Sequence, residues 1–143
     1  MFIEDAKITI TEAVAPKWRC EYRFKNAGNT PAHQVRVNAI AAVAGWPPDK
    51  LPKPVDDEYF GSMFPSPSDF MDAETDAIAT TTEENWSITS KDATKAIFLV
   101  GRINYMDVFN RRQHTDFCFY WTGPVSPNQA MQMSAYDQGN DAT

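Results

Sequence analysis

The chain has 143 residues, which suits one domain, and its 43% apolar content is ordinary for a globular protein, which argues against global disorder. The net charge of −6 argues against nucleic acid as the main partner, because phosphate binding needs a basic face. No stretch approaches the roughly 20 apolar residues that span a membrane and no signal peptide is visible, so we expect the chain as given to be soluble.

Alternation of apolar and polar side chains with a period of two predicts strands along most of the chain. The first candidate is 2–10, and the clearest is 17–26, whose two faces differ in polarity. One face of the second candidate is apolar and consists of Trp18, Cys20, Tyr22 and Phe24. The other face carries charged side chains, so we expect one dry face and one solvated face.

A turn over 26–32, with the sequence NAGNTPA, joins this strand to another strand predicted over 33–44. The turn opens at Asn26; Gly28 and Asn29 tolerate positive φ. Pro31 restricts the chain where it leaves the turn. We expect the two strands to form a hairpin or to be neighbouring strands of a sandwich.

The alternation breaks down over 45–84, which holds six of the ten prolines and many acidic residues. Its large aromatic side chains argue against a disordered linker. We therefore predict a long, ordered, proline-rich loop, with short pieces at a sheet edge, that packs against the rest of the domain.

Regular alternation resumes near Asn85. Strands are predicted over 86–89, 96–106, 113–122 and 130–136, with one helical turn capped by Ser90 after the first of them. The strand over 96–106 is apolar on both faces at its start, which indicates a central position. The polar residues after the last strand are expected to fray.

The inventory of about seven strands with almost no helix predicts a single all-β domain over 1–143. It suits an antiparallel two-sheet sandwich of the immunoglobulin-like type. A small β-barrel is the alternative, because a count of strands does not separate the two.

Two motifs resemble known sequences. The stretch KNAGNTPAHQVRV resembles a turn found in many bacterial immunoglobulin-like domains, and VGRINYMDVFNRRQHTDFCFYW resembles a segment in a large group of uncharacterised bacterial proteins. In that group the domain usually follows one or two N-terminal transmembrane helices, and no activity is established. The resemblance implies an immunoglobulin-like β-sandwich and a membrane-anchored bacterial protein, although this chain carries no such helices.

The match to the second motif lies in a predicted hairpin. The matching residues are Gly101, Tyr105, Asp107, Phe109, Thr115, Phe117 and Cys118. Asn110 replaces a usual glycine, and asparagine is the non-glycine residue that best tolerates the left-handed region, so the turn is preserved. We expect Asp107, just before the turn, to accept backbone N–H bonds and to pair with an arginine.

The second strand of this hairpin has one aromatic and one mostly polar face. The aromatic face, predicted to be the core face, contains Thr115, Phe117, Phe119 and Trp121; the other contains His114, Asp116, Cys118 and Tyr120. Cys118 thus points outward and Cys20 inward, which disfavours a disulfide and predicts free thiols. His114 lies roughly 13 Å along the strand from Cys118, too far for a thiol–imidazole pair.

Neither a metal nor another cofactor is predicted. The only histidines, His33 and His114, lack the spacing of a metal site. A catalytic role for Asp107, with Arg111 or Arg112 stabilising an anion, is the alternative to its structural role in the turn. The structural role is simpler, so we do not expect an enzyme.

The candidate binding residues lie in two places. The basic cluster NRRQH at a predicted loop tip contains Arg111, Arg112 and His114, and the long loop contributes the aromatic side chains of Trp46, Tyr59 and Phe60. These aromatic groups form a binding surface or cap the open end of the sandwich. We predict a non-catalytic binding module for a protein partner; the alternative is a sensor that binds a small anionic ligand or nucleotide between the long loop and the arginines.

Overall fold

The computed structural model describes residues 2–10, 17–26, 28–46, 48–51, 57–63, 71–78, 95–122 and 131–141. These residues contain no helix and form nine antiparallel strands. The strands are β1 (Phe2–Ile10), β2 (Lys17–Lys25), β3 (Ala32–Gly45), β4 (Asp57–Met63), β5 (Met71–Ile78), β6 (Lys95–Met106), β7 (Arg112–Thr122), β8 (Met131–Gln132) and β9 (Ser134–Ala135).

The nine strands form two sheets, with the order β5-β2-β1-β8 in one and β4-β3-β6-β7-β9 in the other. The five long strands predicted before residue 45 and between residues 96 and 122 are all present, with bounds shifted by one residue at most. The strand predicted over 130–136 is instead two short strands, β8 and β9, which lie in different sheets. The strand predicted over 86–89 and the helical turn at Ser90 lie outside the described residues.

The stretch 45–84, predicted to be mainly loop, contains two of the strands. β4 pairs with β3, and β5 pairs with β2 from Lys17↔Ile78 to Phe24↔Met71. Both are outermost in the strand orders, so they are the edge pieces expected, but they are longer than predicted. Gly61 and a bulge interrupt the alternation of β4, and β5 alternates its acidic residues with mostly small ones such as Ala73 and Ala77. Neither strand therefore shows the clear alternation of large apolar and polar residues that β2 has.

The main core lies between the two sheets. The rings of Tyr22 on β2 and Phe117 on β7 are 5.5 Å apart, and Phe60 on β4 meets the ring of Phe24 edge-on at 5.1 Å. Met133, between β8 and β9, is buried in the same core where the chain crosses from one sheet to the other. The aromatic face predicted for β7 therefore does face the core.

Gly101, at the centre of β6, is opposite Phe117 on β7. A Cβ atom added to Gly101 would overlap the ring of Phe117 and approach the backbone oxygen of Asn38 to 2.8 Å. The phenylalanine ring thus fills the space that a side chain at 101 would need. Glycine is required here by close packing and not by a positive φ.

The opposite face of the five-stranded sheet also carries an apolar cluster, which the sequence did not predict. Cys118 is fully buried there together with Ala96 and Phe98, and partly buried residues surround them. Trp46 covers the cluster: its ring stacks on Tyr120 at 4.6 Å. The face of β7 that was predicted to be polar is therefore polar only near the hairpin turn. Both cysteines are free, as predicted, but Cys118 was expected to point outward and is instead buried in this second cluster.

The prediction that the polar residues after the last strand fray is wrong for the described residues up to Asp141, which are hydrogen-bonded to β7. The side chain of Asn140 accepts a hydrogen bond from the Cys118 amide at 2.9 Å and donates to the Cys118 carbonyl at 3.3 Å. Asp116 and Asp141 exchange two backbone hydrogen bonds. An asparagine side chain thus replaces one backbone pairing, and this explains why a polar tail can be ordered.

The contact between Gly101 and Phe117 predicts non-additive mutations. Phe117→Ala should lower the free energy of unfolding by about 3–5 kcal/mol, and Gly101→Ala by about 1–3 kcal/mol, because the first opens a cavity and the second overpacks. The loss in the double variant should be smaller than the sum of the two single losses by at least about 0.5 kcal/mol, because removal of the ring makes room for the methyl group. Urea denaturation of the four proteins measures this; strict additivity would contradict the contact.

Candidate functional site

The β6–β7 hairpin ends in a three-residue loop formed by Val108, Phe109 and Asn110. The Asp107 amide donates to the Arg111 carbonyl at 3.0 Å, and the Asn110 amide donates to the Asp107 carbonyl at 3.0 Å. Asn110 has a φ of 59°, in the left-handed region expected from its place in the turn. A type I turn closed by a residue in this conformation is a common three-residue hairpin loop.

One carboxylate organises the loop. Oδ1 of Asp107 accepts the amides of Phe109 at 2.8 Å and Arg111 at 2.9 Å. Oδ2 accepts Nε of Arg111 at 2.9 Å and the amide nitrogen of the Gln113 side chain at 3.2 Å. These bonds, first of all the one from the Arg111 backbone, lower the pKa of Asp107 to about 2, because they stabilise the charged form.

The tip presents apolar groups to solvent. Phe109 is 73% exposed and Val108 is 43% exposed, more than any other large apolar residue in the described ranges. The guanidinium of Arg111 lies 5.1 Å from the centre of the Phe109 ring while its Nε binds Asp107. The ring is therefore held by a cation–π contact on a loop that already has an internal framework.

The β2–β3 turn lies beside the base of this hairpin. Asn26 is buried; its Nδ2 donates to the carbonyl oxygens of Thr30 and Met63, and its Oδ1 accepts the amide of Gly28. A shallow cavity of about 320 Å³ separates the turn from the hairpin, and Pro31, Tyr105 and Asp107 are part of its lining. Asn29, for which a positive φ was considered, does not have one; Gln34, in the bulge of β3, does, with a φ of 50°.

Basic side chains gather on the outer face of the five-stranded sheet, near the hairpin turn. Arg36, Asn104 and His114 are register neighbours across β3, β6 and β7, with Arg102 and Arg112 on adjacent rungs. Arg102 binds both carboxylate oxygens of Asp116, at 2.5 and 2.9 Å, and this pairing raises the pKa of the arginine.

A shallow groove of about 290 Å³ lies on this basic surface. Its lining includes Arg36, Asn104 and Arg112, together with Gln34 and Gln113. Within the described part of the chain, Arg112 makes no hydrogen bond or ion pair. His114 is 3.9 Å from Asp116 and lies next to the groove.

The predicted aromatic binding residues of the long loop are not brought together. Phe60 packs in the core against Phe24, whereas Trp46 packs on Tyr120, on the outer face. Tyr59 is opposite Arg36 in the register, and its side chain lies outside what the structure describes. Tyr120 lies eight positions along β7 from Arg112, about 26 Å, so the described residues form no pocket between Trp46 and the arginines.

Sequence reasoning missed the contribution of Arg36 and Arg102 to the basic surface. They are far from the NRRQH cluster along the chain, and only the register of three strands brings them beside Arg112. It also did not identify Phe109 as an exposed group, because Phe109 entered only as one of the residues that match the hairpin motif. The position of Phe109 inside the turn, between Asp107 and Asn110, was the signal that could have shown its exposure.

The groups considered for catalysis do not share one site. Tyr105 packs on the inner core, and His114 is on the opposite face of the same sheet. Burial raises the pKa of the Cys118 thiol to about 11, which disfavours the thiolate at neutral pH. No group of three or more candidate metal ligands occurs among the described residues.

The described part of the chain contains no helix with the length and apolarity that a membrane crossing requires. Comparison with protein-family models, with curated proteins and with solved structures gives no match for the chain.

The lowered pKa of Asp107 predicts a pH-dependent contribution to stability. Because the folded-state pKa of about 2 is below the ordinary value of 3.8, protonation favours unfolding. The stabilisation is complete above the ordinary pKa and is lost as the pH falls through about 4 to 2. The melting temperature of Asp107→Asn should lie below that of the unchanged protein at pH 7, and the difference should shrink over this interval.

Asp137→Asn is the matched control, since it removes an exposed carboxylate outside the hairpin. An NMR titration of the Asp107 carboxyl carbon should give a midpoint near the same low pKa. A midpoint close to the ordinary pKa of an aspartate would show that the four hydrogen bonds do not hold in solution.

Proposed function

We propose that the chain is a non-catalytic interaction module that binds a protein partner through the tip of the β6–β7 hairpin. The observation that carries this proposal is the exposure of Phe109 on a loop ordered by Asp107. Exposed aromatic and arginine side chains are the groups most enriched at binding hot spots. A loop that is ordered before binding loses little conformational entropy when it binds.

In this proposal Phe109 enters a pocket of the partner, Val108 adds apolar contact and Arg111 contacts the rim. The remaining predictions fit the same picture: an immunoglobulin-like β-sandwich holds the hairpin, and the resemblance in sequence favours a membrane-associated bacterial protein as its context. The separation of Tyr105 from His114 and the use of the Asp107 carboxylate in the turn support a non-catalytic role.

Photo-crosslinking tests the proposal. A photoreactive phenylalanine analogue is placed at 109 and, as a control, at Arg23, which is exposed on β2 of the other sheet. The crosslinked protein found at 109 and not at 23 is then purified, and its affinity for the module is measured by calorimetry. We expect Phe109→Ala to weaken binding by about 30-fold or more, the loss typical of a hot spot.

The melting temperature and the affinity for the partner together distinguish a binding role of Phe109 from a structural one. Because Phe109 is exposed, Phe109→Ala should leave the melting temperature nearly unchanged, and Arg23→Gln should leave both affinity and stability nearly unchanged. If Phe109→Ala retains full affinity for the identified partner, or if crosslinking is equal at the two positions, the hairpin tip is not the recognition surface.

A further inference from the structure

We propose that the groove between Arg36 and Arg112 on the outer face of the five-stranded sheet binds the phosphate group of a small phosphate monoester. This site is separate from the exposed tip and does not depend on the function proposed for the tip. The two arginines are on strands that flank β6, two strand spacings apart across the sheet and two residues apart along it, so their backbones are about 12 Å apart. Two extended guanidinium groups can meet over one phosphate across such a span.

The local charge favours an anion in an otherwise acidic chain. Asp116 is occupied by Arg102, and the side chain of Arg112 is exposed at the edge of the groove. Arginine side chains form charge-assisted, often bidentate hydrogen bonds with phosphate groups, and the exposed guanidinium of Arg112 is the first candidate to bind a phosphate monoester here. A local basic surface on a protein with a net charge of −6 also concentrates anions at that surface.

The uncharged lining of the groove supplies further hydrogen bonds. Gln34 and Asn104 are among its lining residues, and their side-chain amides can donate to phosphate oxygens that the arginines leave free. Gln34 is placed there by a bulge in β3, where it adopts a φ of 50°. A non-glycine residue in this conformation costs conformational energy and is often found at binding sites.

The size of the groove favours a small ligand. Its volume of about 290 Å³ is at the lower end of the range for small-molecule sites. Met106 adds apolar surface beside the polar groups, which suits the short carbon skeleton of a phosphate ester. Glycerol 3-phosphate has this chemistry and serves as the probe.

NMR titration of the whole chain tests the site. Inorganic phosphate and glycerol 3-phosphate should each shift the resonances of Asn104 and Arg112 in a saturable way at constant ionic strength. Arg112→Gln should weaken binding by about ten-fold or more, because it removes a charge-assisted pair, and Arg112→Lys should restore only part of the loss. Arg23→Gln, which removes the same charge from the other sheet, should change the affinity less than about two-fold.

Three results would overturn the proposal: shifts that do not saturate, equal weakening by Arg112→Gln and Arg23→Gln, or unchanged binding in Arg112→Gln. Binding of the chain to vesicles that contain phosphatidic acid is measured in a separate experiment. If the chain binds these vesicles through Arg112 but does not bind glycerol 3-phosphate, the ligand is a lipid headgroup and the assignment to a small soluble ester is wrong. A one-dimensional spectrum of each variant confirms that it is folded.

Discussion

The unbroken pairing of β6 with β7 is the constraint on which the rest of the structure depends. The register runs without a bulge from Ala96↔Thr122 to Met106↔Arg112. Because Gly101 has no side chain, the ring of Phe117 can pack directly over the backbone of β6. The two strands therefore stay in register while the ring fills the core. Any slip by one residue would move this ring to the other face of the sheet.

The paired strands β6 and β7 form four regions of different character. Its inner face supplies the main core against β2, and the outer face near Cys118 supplies a second apolar cluster that Trp46 covers. The outer face near the turn is basic instead, and beyond it the chain reverses at a loop fixed by Asp107. The position along the hairpin thus decides whether a surface is buried, charged or exposed and apolar.

Much of the fold was predictable from sequence, because period-two alternation is strong where one face is buried and the other is solvated. The long strands β2, β3, β6 and β7 carry that signal. β4 and β5 carry it weakly, since β4 contains a glycine and a bulge and β5 alternates its acidic residues with mostly small ones. Their pairing also depends on contacts far along the chain. The apolar cluster around Cys118 could not be predicted either, because Trp46, which covers it, follows the end of β3 and is far from Cys118 along the chain.

The candidate site was only partly predictable. The roles of Asp107 and Asn110 follow from local turn chemistry, which a short stretch of sequence contains in full. The groove around Arg36 and Arg112 does not, because the register of three strands assembles it. The sequence also grouped Trp46 with the arginines, although the length of β7 separates the surfaces on which they lie.

Backbone ¹⁵N relaxation at the hairpin tip is the most direct test of the claim that Asp107 holds an exposed aromatic group in a fixed position. If the carboxylate orders the loop, the amides of Phe109 and Arg111 should have order parameters of about 0.85, similar to those of β6 and β7. Order parameters below about 0.6 at these two amides would show a mobile loop and would contradict the account.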